Sequence, residues 1–191
     1  PVPTALLALP FGIVGCIVLV LVTDRTVYKF YREQKAKPVI LVIVSMGVMF
    51  VMNGITRFII GPDDQSFADG PRFVISARDF KEMTGLEEGL GIRTTQVITV
   101  LTAIVVVALL FWFLNKTREG KSMRAYSDNE DLALLSGINP ERVVMMTWII
   151  VATLATIAGT LYGLDKTFKP FTYFQLLLPI FASAVVGGIG N

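Results

Sequence analysis

The chain has 191 residues, of which 53% are hydrophobic and only 17% charged. An average soluble domain is about one quarter charged, and the mean hydropathy here is +0.65, so the composition argues against a water-soluble globule and excludes a disordered chain. The net charge of +2 leaves no electrostatic footprint for nucleic acid, and the absence of histidine removes the usual catalytic triads and histidine metal sites. No catalytic residue, metal ligand or cofactor is assigned. Cys16 is the single cysteine, so no internal disulfide forms.

Five apolar stretches approach the roughly 20 residues that a bilayer crossing needs. The first, 5–22, is uncharged and holds Pro10. The second, 38–60, has Arg57 as its only charge, near its outer end. Arg57 either snorkels to the headgroups or meets a pathway or partner within the bundle. The third, 95–114, and the fourth, 143–163, are uncharged. The fifth, 170–189, is also uncharged but holds Gln175, Pro179, Ser183, Gly187 and Gly188. Lipid cannot satisfy open backbone groups, so only helices or closed barrels cross it. Barrel strands alternate polar and apolar residues, and the continuous run from Val39 to Val44 does not. A soluble helical protein is the alternative, but its buried helices are usually shorter than these runs. The expected fold class is therefore all-α: a polytopic membrane protein with about five hydrophobic helices and a short inner-face helix. It forms one transmembrane domain over 1–191. The start at Pro1 and the stop at Asn191, straight after an apolar run, read as an internal segment of a longer protein.

Lysine and arginine in the connections set the orientation. Segment 23–37 carries Arg25, Lys29, Arg32, Lys35 and Lys37, and segment 115–142 carries Lys116, Arg118, Lys121, Arg124 and Arg142. Placing these two inside leaves Arg72, Arg78, Lys81, Arg93, Lys166 and Lys169 outside, a moderate bias. The outer segment 61–94 is long for a connection. Ser76-Ala-Arg-Asp79 and Thr84-Gly-Leu-Glu87 have the spacing of helix starts, so a small ordered cap is expected there. In the fourth span Ala155, Gly159 and Gly163 recur every four residues, a ridge that lets a helix approach closely, within this chain or in a dimer. Phe111, Trp112 and Phe113 at one end, and Tyr162, Phe168, Phe171, Tyr173 and Phe174 at the other, read as interfacial belts.

Residues 115–122, Asn-Lys-Thr-Arg-Glu-Gly-Lys-Ser, lie one residue from a phosphate-binding loop. The first glycine is missing, and an apolar helix rather than a strand precedes the segment, so nucleotide binding is rejected. The same inner segment reads as structured. Residues 122–136 hold helix formers without Pro or Gly, and Gly137 follows where a left-handed cap would end a helix. Asn139-Pro140-Glu141 then reads as N-cap, proline at the first helical position and an acid in the first turn. A short amphipathic helix at an inner face lies in the lipid interface or docks into a groove on a soluble partner. Asp128, Glu130 and Asp131 argue against an anionic lipid surface and favour docking.

The residues from Gly120 through Arg124-Ala125, Asp128-Asn129-Glu130 and Ala133 to Gly137-Ile138-Asn139 closely resemble the inner coupling segment of branched-chain amino-acid permeases, the membrane subunits of ABC-type importers. The ending Val186-Gly187-Gly188-Ile189-Gly190-Asn191 resembles that family's glycine motif, and the short basic stretch before Pro38 fits its H-type subunit. The resemblance is strongest over 120–163 and 183–191. It implies a permease in a bacterial plasma (inner) membrane that moves branched-chain or related amino acids by alternating access. It also implies partners: two ABC ATPase subunits, a second permease subunit in a heterodimer, and an extracytoplasmic substrate-binding protein, all about a lipid bilayer and without nucleic acid. Arg124, Ala125, Asp128, Asn129, Glu130, Ala133, Gly137 and Ile138 would couple to the ATPases. Gly187, Gly188 and Gly190, with Ser183 and Gln175, would break a helix and line a pathway, or else pack helices closely. A urea, amide or sugar permease of related type, or a secondary transporter, is the alternative. Ion coupling would call for ionisable groups at mid-membrane, and the spans hold only Arg57.

Overall fold

Unbroken apolar runs give the molecule long helices, and the breakers between them set where each one stops. The computed structural model describes residues 4–61, 63, 73–75, 92–165 and 175–188. Helix α1 covers Thr4–Thr23 and continues through a π-helical turn, Asp24–Tyr28, into a short α2, Lys29–Glu33. Lys35 takes a positive φ of 48°, which turns the chain. Lys37 is then extended before Pro38, as steric clash with a proline ring requires. Helix α3 runs Pro38–Ile60, with the proline at its start and Gly61 at φ 91° past its end. These are the expected bounds of the second span.

Strands β1 (Phe73–Ile75) and β2 (Ile92–Arg93) pair antiparallel within segment 61–94. They are short and do not alter the all-α architecture. The helix starts expected at Ser76 and Thr84 lie outside the described residues. Helix α4 follows at Thr94–Lys116 and α7 spans Pro140–Asp165, each somewhat longer than its apolar core. Among the described residues, four helical stretches are long and apolar enough to cross a membrane. The fifth apolar stretch yields α8, Leu177–Val186, ten residues long. At 1.5 Å per residue that is about 15 Å, half of a hydrocarbon core. Residues 166–174, in which that stretch begins, lie outside the described residues.

Hydroxyl groups sit in these spans at low cost because each is satisfied locally. Thr147, Thr153, Thr156 and Thr160 of α7 donate to the carbonyl four residues back at 2.8–2.9 Å, and Ser45 and Thr56 do the same in α3 at 2.8 Å. The tertiary core is small. Among the described residues, Ala133, Val143, Ala152 and Leu161 are the buried hydrophobic side chains, whereas Phe11 and Phe58 are 82% and 92% exposed. Exposed apolar area on this scale belongs against lipid or other membrane helices.

Helices α1 and α7 form the closest pair and run antiparallel: Asp24, just past the end of α1, meets Trp148 near the start of α7, and Gly12 faces Thr156 further along. A Cβ on Gly12 would lie 3.4 Å from the Thr156 methyl. Trp148, Ala152 and Thr156 follow at four-residue spacing, so one face of α7 makes this crossing. The small residues expected to form a packing ridge differ in exposure. Gly163 is buried, but Ala155 is exposed, and among the described residues no atom lies within 4 Å of a Cβ built on Gly159. Small residues permit a close approach; the polar anchor at Trp148 selects the neighbouring face.

Candidate functional site

The connection 115–142 is built from three consecutive local devices. The first is an elbow at Thr117. Its hydroxyl donates to the Phe113 carbonyl at 2.7 Å and accepts from the Gly120 amide at 3.0 Å, so one side chain closes α4 and opens α5, Arg118–Asp128. Gly120 lies against the backbone of Phe113 and Leu114, and an added Cβ would fall 2.6 Å from Leu114 Cα. Only glycine fits. The segment that resembled a phosphate loop is thus a helix end, an elbow and a helix start. Arg124 Nη1 donates to the Asn115 side-chain Oδ1 at 2.7 Å and braces the bend.

The second device is a break at Asn129. The sequence predicts one helix over 122–136, but the structure has two, α5 and α6 (Glu130–Leu135). Asn129 is extended (φ −157°, ψ 107°), and its side-chain oxygen accepts from the Leu132 amide at 3.0 Å. A capping side chain here outcompetes helix continuation, the usual behaviour of asparagine. Tyr126 donates to Glu130 across the break at 2.7 Å. That hydrogen bond, then desolvation, raises the Tyr126 pKa above its ordinary value, because the neutral phenol is the donor.

The third device is the stop and restart around Gly137. With φ 80°, Gly137 lets its own amide reach the Leu134 carbonyl and the Ile138 amide reach the Ala133 carbonyl, both at 3.0 Å. This is a Schellman cap, and Ala133 is buried beneath it. Asn139 then accepts from the Glu141 amide at 2.9 Å and Pro140 opens α7, as the sequence predicts.

These devices leave a projecting surface. Arg124, Ala125, Asp128, Asn129, Glu130 and Asp131 are exposed, and Leu132, Leu134 and Leu135 are exposed beside them at 60%, 43% and 85%. Such leucines at a polar end of a membrane protein suit contact with another protein. Ala133 lies buried beneath this surface, with Gly137 exposed and Ile138 half-buried at its edge.

Sequence reasoning missed the polar cluster behind this surface. Asp24 accepts from Trp148 Nε1 at 2.8 Å and pairs with Arg32 at 2.9 Å, while the Tyr28 and Trp148 rings lie 5.3 Å apart. Lys29 meets Glu141 at 2.8 Å, and Arg142 meets Glu119 at 2.6 Å. The Lys29–Glu141 contact puts the two basic connections, 23–37 and 115–142, at the same end of the molecule. The available signal was a carboxylate directly after an apolar run and an indole N–H inside another, since each needs a partner when buried.

The described pathway candidates lie on and around α8. Helix α8 stops at Val186, with Gly187 donating to the Ser183 carbonyl and Gly188 at φ 97° donating to that of Val185. Ser183 and Gln175 are exposed, and Gly190 is outside the described residues. A separate groove of about 570 Å³ opens between α4 and α7, lined by Gln96, Thr99, Ala103, Leu154, Ala158 and Leu161.

Long apolar helices joined by a capped polar turn define a polytopic membrane protein. A family profile described as "Branched-chain amino acid transport system / permease component" matches residues 2–191, and the chain belongs to that family. The high-affinity branched-chain amino acid transport system permease protein LivH of Salmonella typhimurium (strain LT2) is 28% identical over 199 residues, covering all of this chain and 61% of the relative. LivH of Escherichia coli (strain K12) is 29% identical over 200 residues with the same coverage. The fructose import permease protein FruG of Bifidobacterium longum is 26% identical over 147 residues, covering 76% of this chain and 42% of the relative. The chain thus spans about three fifths of the length of the LivH proteins it matches. No solved structure matches it.

Proposed function

We propose that this chain is the membrane-spanning permease part of an ATP-driven ABC importer for branched-chain or related amino acids, in a bacterial plasma membrane. The observation that carries this reading is the projecting turn formed by α5, Asn129, α6 and Gly137. It presents acids and leucines at the end where the basic connections gather. Two ATPase subunits would seat on Arg124, Ala125, Asp128, Asn129 and Glu130, with the leucines entering their surface. ATP-driven closure would pull on this turn and, through the rigid cap at Gly137 and Asn139, tilt α7. Alternating access needs such a two-state element biased by a partner. A second permease subunit would complete the pathway and an extracytoplasmic protein would deliver the cargo. Gln175, Ser183, Gly187, Gly188 and Gly190 are the proposed pathway segment, since helix ends are tolerated at membrane depth where they line a cavity. The FruG relative keeps a sugar as the alternative cargo.

The test is co-purification of ATPase subunits with the full-length permease. Asp128→Lys with Asp131→Lys reverses the exposed charge and spares the Tyr126–Glu130 bond. It should remove the ATPase while the permease stays at normal abundance in the membrane. An ATPase that stays bound to this variant and to Leu135→Asp sinks the docking reading. For the pathway, cysteines at 183 and 187 should react with a polar thiol reagent in one nucleotide state and not the other. No reaction in any state removes these positions from the pathway.

A further inference from the structure

A carboxylate at the end of an apolar helix carries a desolvation cost unless it is paired, and Asp24 is paired twice. Its side chain is only 13% exposed. The Arg32 guanidinium forks onto both oxygens at 2.9 and 3.3 Å, while the Trp148 indole donates to the first of them at 2.8 Å. Bidentate charge-assisted bonds fix geometry as well as adding energy. Tyr28, four residues from Asp24, lies over the same indole. Both residues come from the π-helical turn, a local irregularity that recurs at functional sites. Asp24 and Tyr28 therefore hold one side chain of α7, and Arg32 fixes Asp24 in place.

The first turn of α7 extends this connection in two directions. Glu141 reaches Lys29, beyond the π turn, at 2.8 Å. Arg142, next in sequence, reaches Glu119 in the first turn of α5 at 2.6 Å. Both pairs are substantially exposed, and such pairs hold weakly by themselves. The Asp24 cluster is the less exposed link, so it carries the connection. Helix α3 touches this assembly mainly beside the π turn.

We infer that Asp24, Arg32 and Trp148 form a mechanical clamp that makes α1 move with α7 when the coupling turn is pulled. Asp24 and Trp148 are then positioning residues for transport, acting through helix geometry rather than by touching cargo. The inference rests on the coupling reading above. It deepens that reading by naming the second helix to which motion passes and the groups that pass it.

The experiment uses the complete transporter, with its ATPase subunits, in liposomes, and reads solute moved per ATP hydrolysed. Trp148→Phe keeps an aromatic ring near Tyr28 and removes the N–H donor, with some loss of ring volume. Asp24→Asn keeps the shape and removes the charge. In both, the ATPase subunits should remain bound and hydrolysis should continue. Solute moved per ATP should fall about tenfold, the size expected for one lost hydrogen bond to a charged group. A merely structural role would lower both rates together and leave their ratio intact. An unchanged ratio in Trp148→Phe overturns the clamp and leaves ATPase docking standing. Where Asp24→Asn fails to reach the membrane, Trp148→Phe decides alone. Failure of the wild-type permease to bind any ATPase overturns the coupling reading, and the clamp with it.

Discussion

The end of the molecule where the two basic connections meet and the apolar faces of its helices are held by different forces. At that end nearly every structural event has a named polar partner: Thr117 on Gly120, Asn129 on Leu132, Asn139 on Glu141, Asp24 on Trp148 and Arg32. Along α3 the situation is reversed. Ser45, Asn53 and Thr56 bond to its own backbone, none of its residues is buried, and Phe58 stands almost fully exposed. Lipid supplies no hydrophobic drive for helix association. A span can therefore be an independent helix while water-facing ends need explicit hydrogen bonds to fix their shape. Precision is concentrated where a partner would act, and tolerance where lipid or other helices lie.

The sharpest way to break this contrast is Gly120→Ala. The new methyl would press on the backbone of Phe113 and Leu114, which cannot rotate away. A loss of about 3 kcal/mol is expected, at the upper end for overpacking. Thermal denaturation of the purified permease should show it. Asn129→Ala comes next. Removing the cap on Leu132 should cost about 1 kcal/mol, fuse α5 and α6 toward one helix, and lower ATPase co-purification without lowering membrane abundance.

Phe58→Ala, on the lipid-facing side, should change stability by less than about 0.5 kcal/mol, as substitutions away from packed features do. A loss as large as that of Gly120→Ala would show that α3 is packed against a partner at this position. The smallest effect is a matter of pH. The Tyr126 pKa is raised by its bond to Glu130, so that bond's contribution is intact below the ordinary tyrosine value of 10.0. It fades as pH rises through the raised value. Ultraviolet titration of wild type against Tyr126→Phe should therefore reveal one phenol ionising late. A normal titration there would mean that the Tyr126–Glu130 bond does not persist in solution.

Some features were legible because their causes are local. The span from Pro38 to Ile60 follows from an apolar run between a proline and a glycine, and the left-handed stop at Gly137 and the restart at Asn139-Pro140 follow from neighbouring residue types. The interruption at Asn129 was missed, although it too is local. Propensity summed over 122–136 favours a helix, and one capping side chain overrides that sum. The ridge at Ala155 and Gly159 was legible as a capability, but its use was not.

The amino-acid sequence by itself determined that this protein crosses a membrane several times, that its crossings are helical, and where the inner turn stops and restarts. Backbone hydrogen bonding in lipid and side chains within a few residues suffice for each of these. Only the tertiary structure decided which face of α7 meets α1, that Asp24 and Trp148 meet across 124 positions, and that Gly120 must lie flat against the end of α4. Those depend on how two distant segments cross. No local pattern encodes that crossing, because in a uniformly apolar span every face looks alike until one polar group finds its partner.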